Sequence, residues 1–274
     1  MLTCKEYTDL RKKELKAYIE EKGLHPKLVV IQVGDRPESN SYIRGKMRDC
    51  KEVGIECDVL KYPDHITQNH LCEQIAIHNA MDTVHGVIVQ LPLPDHIDVK
   101  EVQKWISPMK DVDGFRDATC FEPCTPKGVR DFLVYIGYEF EGKDALVIGR
   151  SPIVGKPLAD MLTDLDCTVT LAHSKTKALS NHINYADIVF TCIDKIEWFD
   201  KYNFPVSMGT DVIDIGLGAS SDGKLHGNLE VELVEELKTK APNYICISGT
   251  GGVGLLTRLA LVENVIKACE MQRG

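Results

Sequence analysis

Apolar residues in the first hundred positions fall into short blocks separated by charged stretches of helical period. Residues 3–22 predict an amphipathic, highly charged helix. Residues 27–33 (KLVVIQV) form an apolar block that stops at Gly34-Asp35-Arg36-Pro37, the pattern of a buried strand and a turn. Residues 39–53 predict a helix with Ser39 as its N-cap. IECDVLKYP (55–63) reads as a strand, HITQNHLCEQIAIHNA (65–80) as a helix, and HGVIVQLPLP (85–94) as a strand halted by prolines. This β-α-β-α-β order implies a parallel sheet with helices on both faces.

A second alternation begins after 114. A helix is expected over 127–138, a strand over 144–149 (DALVIG), a helix over 157–165 and a strand over 167–172 (CTVTLA). Further apolar runs lie at 187–193, 211–217 and 244–248, and a last helix spans about 255–270. Two α/β units joined near 115–127 is the natural reading. The last helix is expected to pack back on the first unit, which gives 1–119 with 255–274 as one domain and 120–254 as the other.

Length and charge narrow the function classes. A chain of 274 residues buries enough surface to fold without disulfides or metals. A formal charge of −9 argues against a nucleic-acid or anionic-membrane surface, both of which need a basic footprint. No apolar run approaches the roughly 20 residues of a membrane span. The first residues show no apolar core of a secretory signal, so a cytoplasmic location is expected. The ten cysteines include no C-x-x-C pair. They are expected to be reduced and to act as small core residues, with no metal site. Of the histidines only His173 falls inside a motif; the others show no evident partner in the sequence.

The candidate chemistry clusters in a few places. ALVIGRSPIVGKPLADML sets a glycine turn between an apolar strand and a helix, the context of a dinucleotide phosphate site. Gly149 and Gly155 are six apart, with Arg150 and Ser151 following the first. A plain strand-to-helix turn gives the same pattern. An NAD site carries an acid about 20 residues beyond the first glycines. Here that point reads Leu171-Ala172-His173-Ser174-Lys175-Thr176, with a cation and hydroxyls instead, which favours the 2′-phosphate of NADP. A second glycine cluster, Ser248 to Gly254, allows close backbone approach to a ligand, and a ligand-free tight turn is the other reading. Tyr42 and Lys46 share one helix face at i, i+4, as many surface pairs do. Gln90 closes a parallel strand, where α/β crevices form. Asp111-Val112-Asp113-Gly114 lies at the domain join, another preferred ligand position, and each of these residues taken alone also fits a turn or cap role.

The order of VGDRPESNSYIRGK, GVIVQLPLP, KDVDGF, PCTPKGV, VIGRSPIVGKPLADML, VTLAHSKT, VIDIG and GGVG resembles one family. It is the bifunctional methylenetetrahydrofolate dehydrogenase/methenyltetrahydrofolate cyclohydrolase family of the FolD type. The resemblance implies an N-terminal α/β catalytic domain, a Rossmann-like NADP-binding domain and a cleft between them. It implies Lys46 as the catalytic lysine, with Tyr42 against the folate, Gln90 bonded to Lys46 and tuning its charge state, and Asp113 on the pterin ring. Thr250 and Gly251 would line the folate side. Gly149, Arg150, Ser151, His173, Ser174, Thr176, Cys192 and Leu217 would hold the cofactor. Tetrahydrofolate derivatives are the implied substrates and a homodimer the implied assembly.

Several positions depart from the family pattern. The prolines that usually flank the second glycine cluster are absent, and Asp194 stands where the strand end usually has glycine. The usual V-G-I-N is Ile215-Gly216-Leu217-Gly218, and the usual G-D-V is Gly227-Asn228-Leu229. These changes gather on the cofactor side, so a cyclohydrolase with lost or weakened hydride transfer is an alternative. A non-catalytic binding protein on the same fold is another, since fold alone does not fix function.

Overall fold

The computed structural model describes residues 2–116, 118–206, 209–219, 225–240, 245–247 and 252–273. The chain divides into two compact units. One comprises Thr8–Cys124 and Arg258–Gly274, the other Met1–Tyr7 and Thr125–Thr257.

The first unit is built on a three-stranded parallel sheet of β1 (Lys27–Val33), β2 (Glu56–Tyr62) and β3 (Gly86–Val89), in the order β2-β1-β3. Its helices are most of α1 (Cys4–Lys22), α2 (Pro37–Val53), α3 (Gln68–Asn79), α4 (Val99–Trp105) and most of α9 (Val253–Met271). The strand β1 is apolar on both faces because both are covered. Leu28 and Val30 pack with Ile43 and Cys50 of α2 and Leu261 and Val265 of α9. Val29 and Ile31 face the other way, onto Leu71 and Ile75 of α3 and Val102 of α4. Full burial of each such side chain contributes about 1.5–3 kcal/mol.

Helix ends follow local chemistry. Ser39 is not the cap of α2; that position is Arg36, with no side-chain cap bond, and Pro37 occupies the first turn, where its missing N–H costs nothing. Gly54, at φ +94°, ends the helix in the left-handed conformation. Thr67 caps α3 by accepting from His70 N, and Asp98 caps α4 by accepting from Lys100 N and Glu101 N. The helix α4 escapes the sequence pattern because it is short and fully buries one residue, Val102.

The second unit carries a five-stranded parallel sheet of order β10-β7-β6-β4-β5. The strands are β4 (Asp144–Ile148), β5 (Thr168–Ala172), β6 (Ile188–Thr191), β7 (Asp211–Asp214) and β10 (Cys246–Ile247). Around them lie α5 (Cys124–Tyr135), α6 (Gly155–Thr163), α7 (Leu179–Tyr185) and α8 (Val231–Lys240). A small antiparallel pair, β8 (Gly218–Ala219) and β9 (Leu225–His226), follows β7. The helices α7 and α8 and this pair were not legible in the hydrophobic pattern. The three later strands are also shorter than their apolar runs.

Six of the cysteines are buried, three are half-buried and Cys120 is exposed; none is in a disulfide. The histidines are better partnered than their sequence context suggests. His85 Nδ1 accepts from Lys27 N at 3.1 Å, and the rings of His78 and His96 each meet a backbone carbonyl. No helix among the described residues is long and apolar enough to cross a membrane.

Candidate active site and cofactor site

Four polar residues converge in the first unit. The α2 helix presents Tyr42 and Lys46 on one face, with the Lys46 ammonium 5.8 Å from the centre of the Tyr42 ring. Gln90 follows β3 directly and extends its ladder by donating from its amide to Ile31 O. Its side-chain Nε2 donates to Leu91 O at 2.9 Å, which turns Oε1 toward α2. Lys46 Nζ donates to that Oε1 at 3.3 Å and lies 3.5 Å from Asp113 Oδ2. Only 4% of the Lys46 side chain is exposed, against 32% for Asp113, so the amine is largely desolvated while the carboxylate reaches outward.

The loop that delivers Asp113 is heavily braced. Asp111, fully buried, accepts from Phe115 N at 3.0 Å and Arg116 N at 2.9 Å, and its carbonyl accepts from Gly114 N and Thr119 Oγ1. Burial pushes the Asp111 carboxyl up, and the two backbone N–H groups only partly offset this. Gly114 sits at φ +68°, and a Cβ there would lie 2.4 Å from Pro123 Cα. Asn264 of α9 bridges the carbonyls of Val112 and Glu122. The sequence placed Asp111 in the run at the domain join but gave it no role of its own; the signal for that role is an acid two residues before Asp113, in the pattern of an Asx-type turn.

The α2 helix is tied down as well. Asp49, buried one turn beyond Lys46, meets Arg258 Nε of α9 at 2.5 Å and Lys12 Nζ at 3.5 Å. Gly45 makes room for that guanidinium: a Cβ there would lie 3.1 Å from Arg258 Nε.

In the second unit, four turns leave one edge of the sheet. Gly149 follows β4 and donates to Ala172 O at the end of β5. Cys192 follows β6 and donates to Ile148 O, while Ile215 follows β7 and donates to Thr191 O. The strands β5 and β6 flank β4 on opposite sides, so the β4 turn stands at the point where strand order reverses, the usual place for a ligand crevice. Gly149 has φ +130°, and a Cβ there would lie 2.4 Å from Cys192 O. A Cβ at Gly155 would lie 2.0 Å from Gly149 O, so α6 starts in direct backbone contact with the turn. This is a cradle that any side chain would fill, and it fits a dinucleotide pyrophosphate.

The surrounding side chains divide into shapers and donors. Ser151 Oγ accepts from Val154 N at 3.2 Å and Gly155 N at 3.4 Å, which leaves its own proton to donate outward. His173 and Thr176 close their turn on each other: His173 N donates to Thr176 Oγ1, and Lys175 N donates to His173 Nδ1. Arg150, Ser174 and Lys175 are exposed at the ends of the neighbouring strands β4 and β5. Leu217, after β7, is 36% exposed. Burial pushes the Cys192 thiol up to about 12, so it sits there as an inert packing group. Thr250 and Gly251 lie outside the described residues. Among the described residues no group of three or more His, Cys, Asp and Glu is placed to hold a metal.

Comparison with known proteins agrees with this division. Residues 2–113 match the catalytic domain described as tetrahydrofolate dehydrogenase/cyclohydrolase, and residues 123–273 match the NAD(P)-binding domain of the same family. The chain is 42% identical to the bifunctional protein FolD of Streptococcus suis over 259 residues, which cover 91% of this chain and 89% of that protein. A crystal structure of the bifunctional FolD dehydrogenase/cyclohydrolase from Campylobacter jejuni superposes with a TM-score of 0.89 at 37% identity, over 98% of both chains. The Trypanosoma brucei enzyme, solved with NADP and an inhibitor, superposes with a TM-score of 0.90 at 27% identity, over 100% of this chain and 98% of that one. A match across both halves, in order, leaves one assignment: the chain belongs to the tetrahydrofolate dehydrogenase/cyclohydrolase family.

Proposed function

We propose that this protein oxidises 5,10-methylenetetrahydrofolate to 5,10-methenyltetrahydrofolate with NADP+ and hydrolyses that product to 10-formyltetrahydrofolate. Lys46, Tyr42, Gln90 and Asp113 carry the chemistry in this reading. The observation behind it is the buried Lys46 amine, held within 3.3 Å of Gln90 Oε1 and 3.5 Å of Asp113 Oδ2.

Hydride transfer needs alignment more than acid–base help, and NADP+ supplies the hydride acceptor when bound. The Tyr42 ring offers a flat apolar face for the folate, and the outward Asp113 carboxylate accepts from the N–H groups of the pterin. Hydrolysis is different: water adds to the cationic methenyl carbon, a proton leaves, and the ring opens. A positioned amine can carry that proton. Gln90 Oε1 holds one Lys46 N–H and so fixes where the nitrogen stands.

The NADP preference rests on Arg150, Ser174 and Lys175, exposed beside the cradle with no acid among them, and on the NADP held by the Trypanosoma brucei relative. Gly149, Ser151, His173, Thr176, Cys192 and Leu217 shape that site in this reading, and the family resemblance assigns Thr250 and Gly251 to the folate. A cytoplasmic homodimer goes with the family resemblance; light scattering at twice the chain mass tests the dimer. Asp194, exposed in the turn after Cys192, favours the second reading, a cyclohydrolase with weakened hydride transfer.

Lys46→Ala tests the catalytic assignment. The variant is expected to lose hydrolysis of methenyltetrahydrofolate. Hydrolysis at the wild-type rate would remove Lys46 from the mechanism.

A further inference from the structure

The turn after β6 and the turn after β7 are joined by one side chain that belongs to neither. Asn228 is fully buried, at 0% exposure. Its Oδ1 accepts from Ile193 N at 3.1 Å. Its Nδ2 donates to Ile193 O at 2.9 Å and to Lys195 O at 2.5 Å. Both N–H groups and the oxygen of the carboxamide are therefore engaged by the backbone of a single turn.

The backbone of Asn228 is fixed in its place. Its N–H donates to Asp214 Oδ1 at 2.9 Å, and its carbonyl accepts from Trp198 N and Phe199 N. Asp214, buried at the end of β7, also accepts from Thr191 Oγ1 at 2.8 Å and Leu229 N at 3.2 Å. On the β7 side the carboxamide presses on the main chain: a Cβ at Gly216 would lie 2.1 Å from both its nitrogen and its oxygen. Gly216 precedes Leu217, and the turn that Asn228 anchors begins at Cys192, whose carbonyl abuts Gly149. One residue thus sets both the turn that backs the Gly149 cradle and the turn that carries Leu217.

We infer that Asn228 is a positioning residue for the dinucleotide, fixing the spacing of these two turns without contacting the cofactor itself. The inference rests on the reading that these turns hold NADP. The carboxamide serves this turn as acceptor and donor together: without it Ile193 N loses its acceptor and the carbonyls of Ile193 and Lys195 lose their donor. Asp194 lies between those two anchored carbonyls and is exposed; releasing them frees a carboxylate to move beside the phosphate cradle.

The test uses the full chain with Asn228→Ala and Asn228→Leu. NADP+ affinity is measured by calorimetric titration, and hydrolysis of methenyltetrahydrofolate is measured with no dinucleotide present. Both variants are expected to weaken NADP+ binding at least tenfold and to raise the KM for NADP+ in parallel, with hydrolysis within twofold of wild type. Unchanged NADP+ affinity overturns the proposal, and so does an equal loss of hydrolysis, which marks a general structural role. Hydrogen exchange on the wild-type protein does not depend on the variants folding. The Ile193 amide is expected to be protected at least a hundredfold in dinucleotide-free protein; exchange at the rate of an open peptide overturns the lock. If wild-type protein binds neither NADP+ nor NAD+, the dinucleotide reading fails instead, and the exchange result still reports on the lock.

Discussion

Lys46 Nζ donates to Gln90 Oε1 at 3.3 Å, and the two residues stand 44 positions apart in the sequence. Helix α2 brings one and the end of β3 brings the other, so the contact exists only once the parallel sheet and its covering helix have formed. Asp113 arrives from a third direction, on a loop braced by Asp111 and Asn264. The amine is thus oriented by groups that packing has already fixed, which is the condition for an effective proton carrier.

Gln90→Glu puts a carboxylate where the neutral oxygen now meets the ammonium. A second anion beside Lys46 pairs with the amine and draws it away from the reacting water. Hydrolysis of methenyltetrahydrofolate is expected to fall by about 10- to 100-fold, within the range of general acid–base contributions. Hydride transfer should change much less. Steady-state rates of the two half-reactions on the same preparation check the split.

Gly155→Ala tests the dinucleotide cradle. Its Cβ would meet Gly149 O at 2.0 Å, and a backbone atom cannot swing aside as a side chain can. Overpacking of this kind costs about 1–3 kcal/mol. NADP+ affinity is expected to drop below detection and the thermal midpoint to fall, while hydrolysis per folded molecule persists. Calorimetry and a thermal melt report both.

Asp111 gives the stability a pH signature. Its folded carboxyl is raised by burial, so the folded state holds that proton more tightly than the unfolded chain does. Its contribution is therefore most favourable below the unfolded pKa and is lost as pH rises through the folded value. Asp111→Asn cannot titrate and gives up one acceptor for Phe115 N or Arg116 N, at about 1–3 kcal/mol. Wild type is expected to exceed the variant in stability at every pH, by a margin that widens as pH falls from neutral through the raised carboxyl range. Urea unfolding from pH 7 to pH 4 measures it; a margin that narrows contradicts the account.

Arg150→Ala addresses cofactor choice. Arg150 is exposed beside Gly149, and the turn after β5 supplies Ser174 and Lys175 next to it. The variant is expected to weaken NADP+ binding tenfold or more and to leave NAD+ nearly unchanged, since only NADP+ carries the 2′-phosphate. Parallel titrations with the two dinucleotides decide it.

The sequence made the two alternations of strand and helix legible because β1, β3, β4 and β6 are short, apolar and covered on both faces. It made Tyr42 and Lys46 neighbours through helix period alone. Hydrophobic pattern and spacing did not bring Gln90 or Asp113 to Lys46, because nothing local encodes a contact between a strand end and a helix face; the Gln90 contact was implied by the family resemblance alone. The helices α4 and α7 escaped notice because they are short and bury one side chain each, and α8 because its few buried residues, Leu233 and Val234 among them, lie in a charged stretch. Asn228 and Asp111 were visible as residues but their roles were not, because their work is to satisfy backbone groups, which depends on where the chain turns. Ser39 looked like a cap, yet Pro37 starts α2 earlier.

The most direct test of the whole account follows wild-type protein with methylenetetrahydrofolate and either NADP+ or NAD+, recording reduced dinucleotide and the folate product together. Reduced dinucleotide is expected with NADP+, at least tenfold slower formation with NAD+, and 10-formyltetrahydrofolate rather than methenyltetrahydrofolate as the end product. Folded protein that yields no reduced dinucleotide with either, or that stops at the methenyl compound, would contradict it.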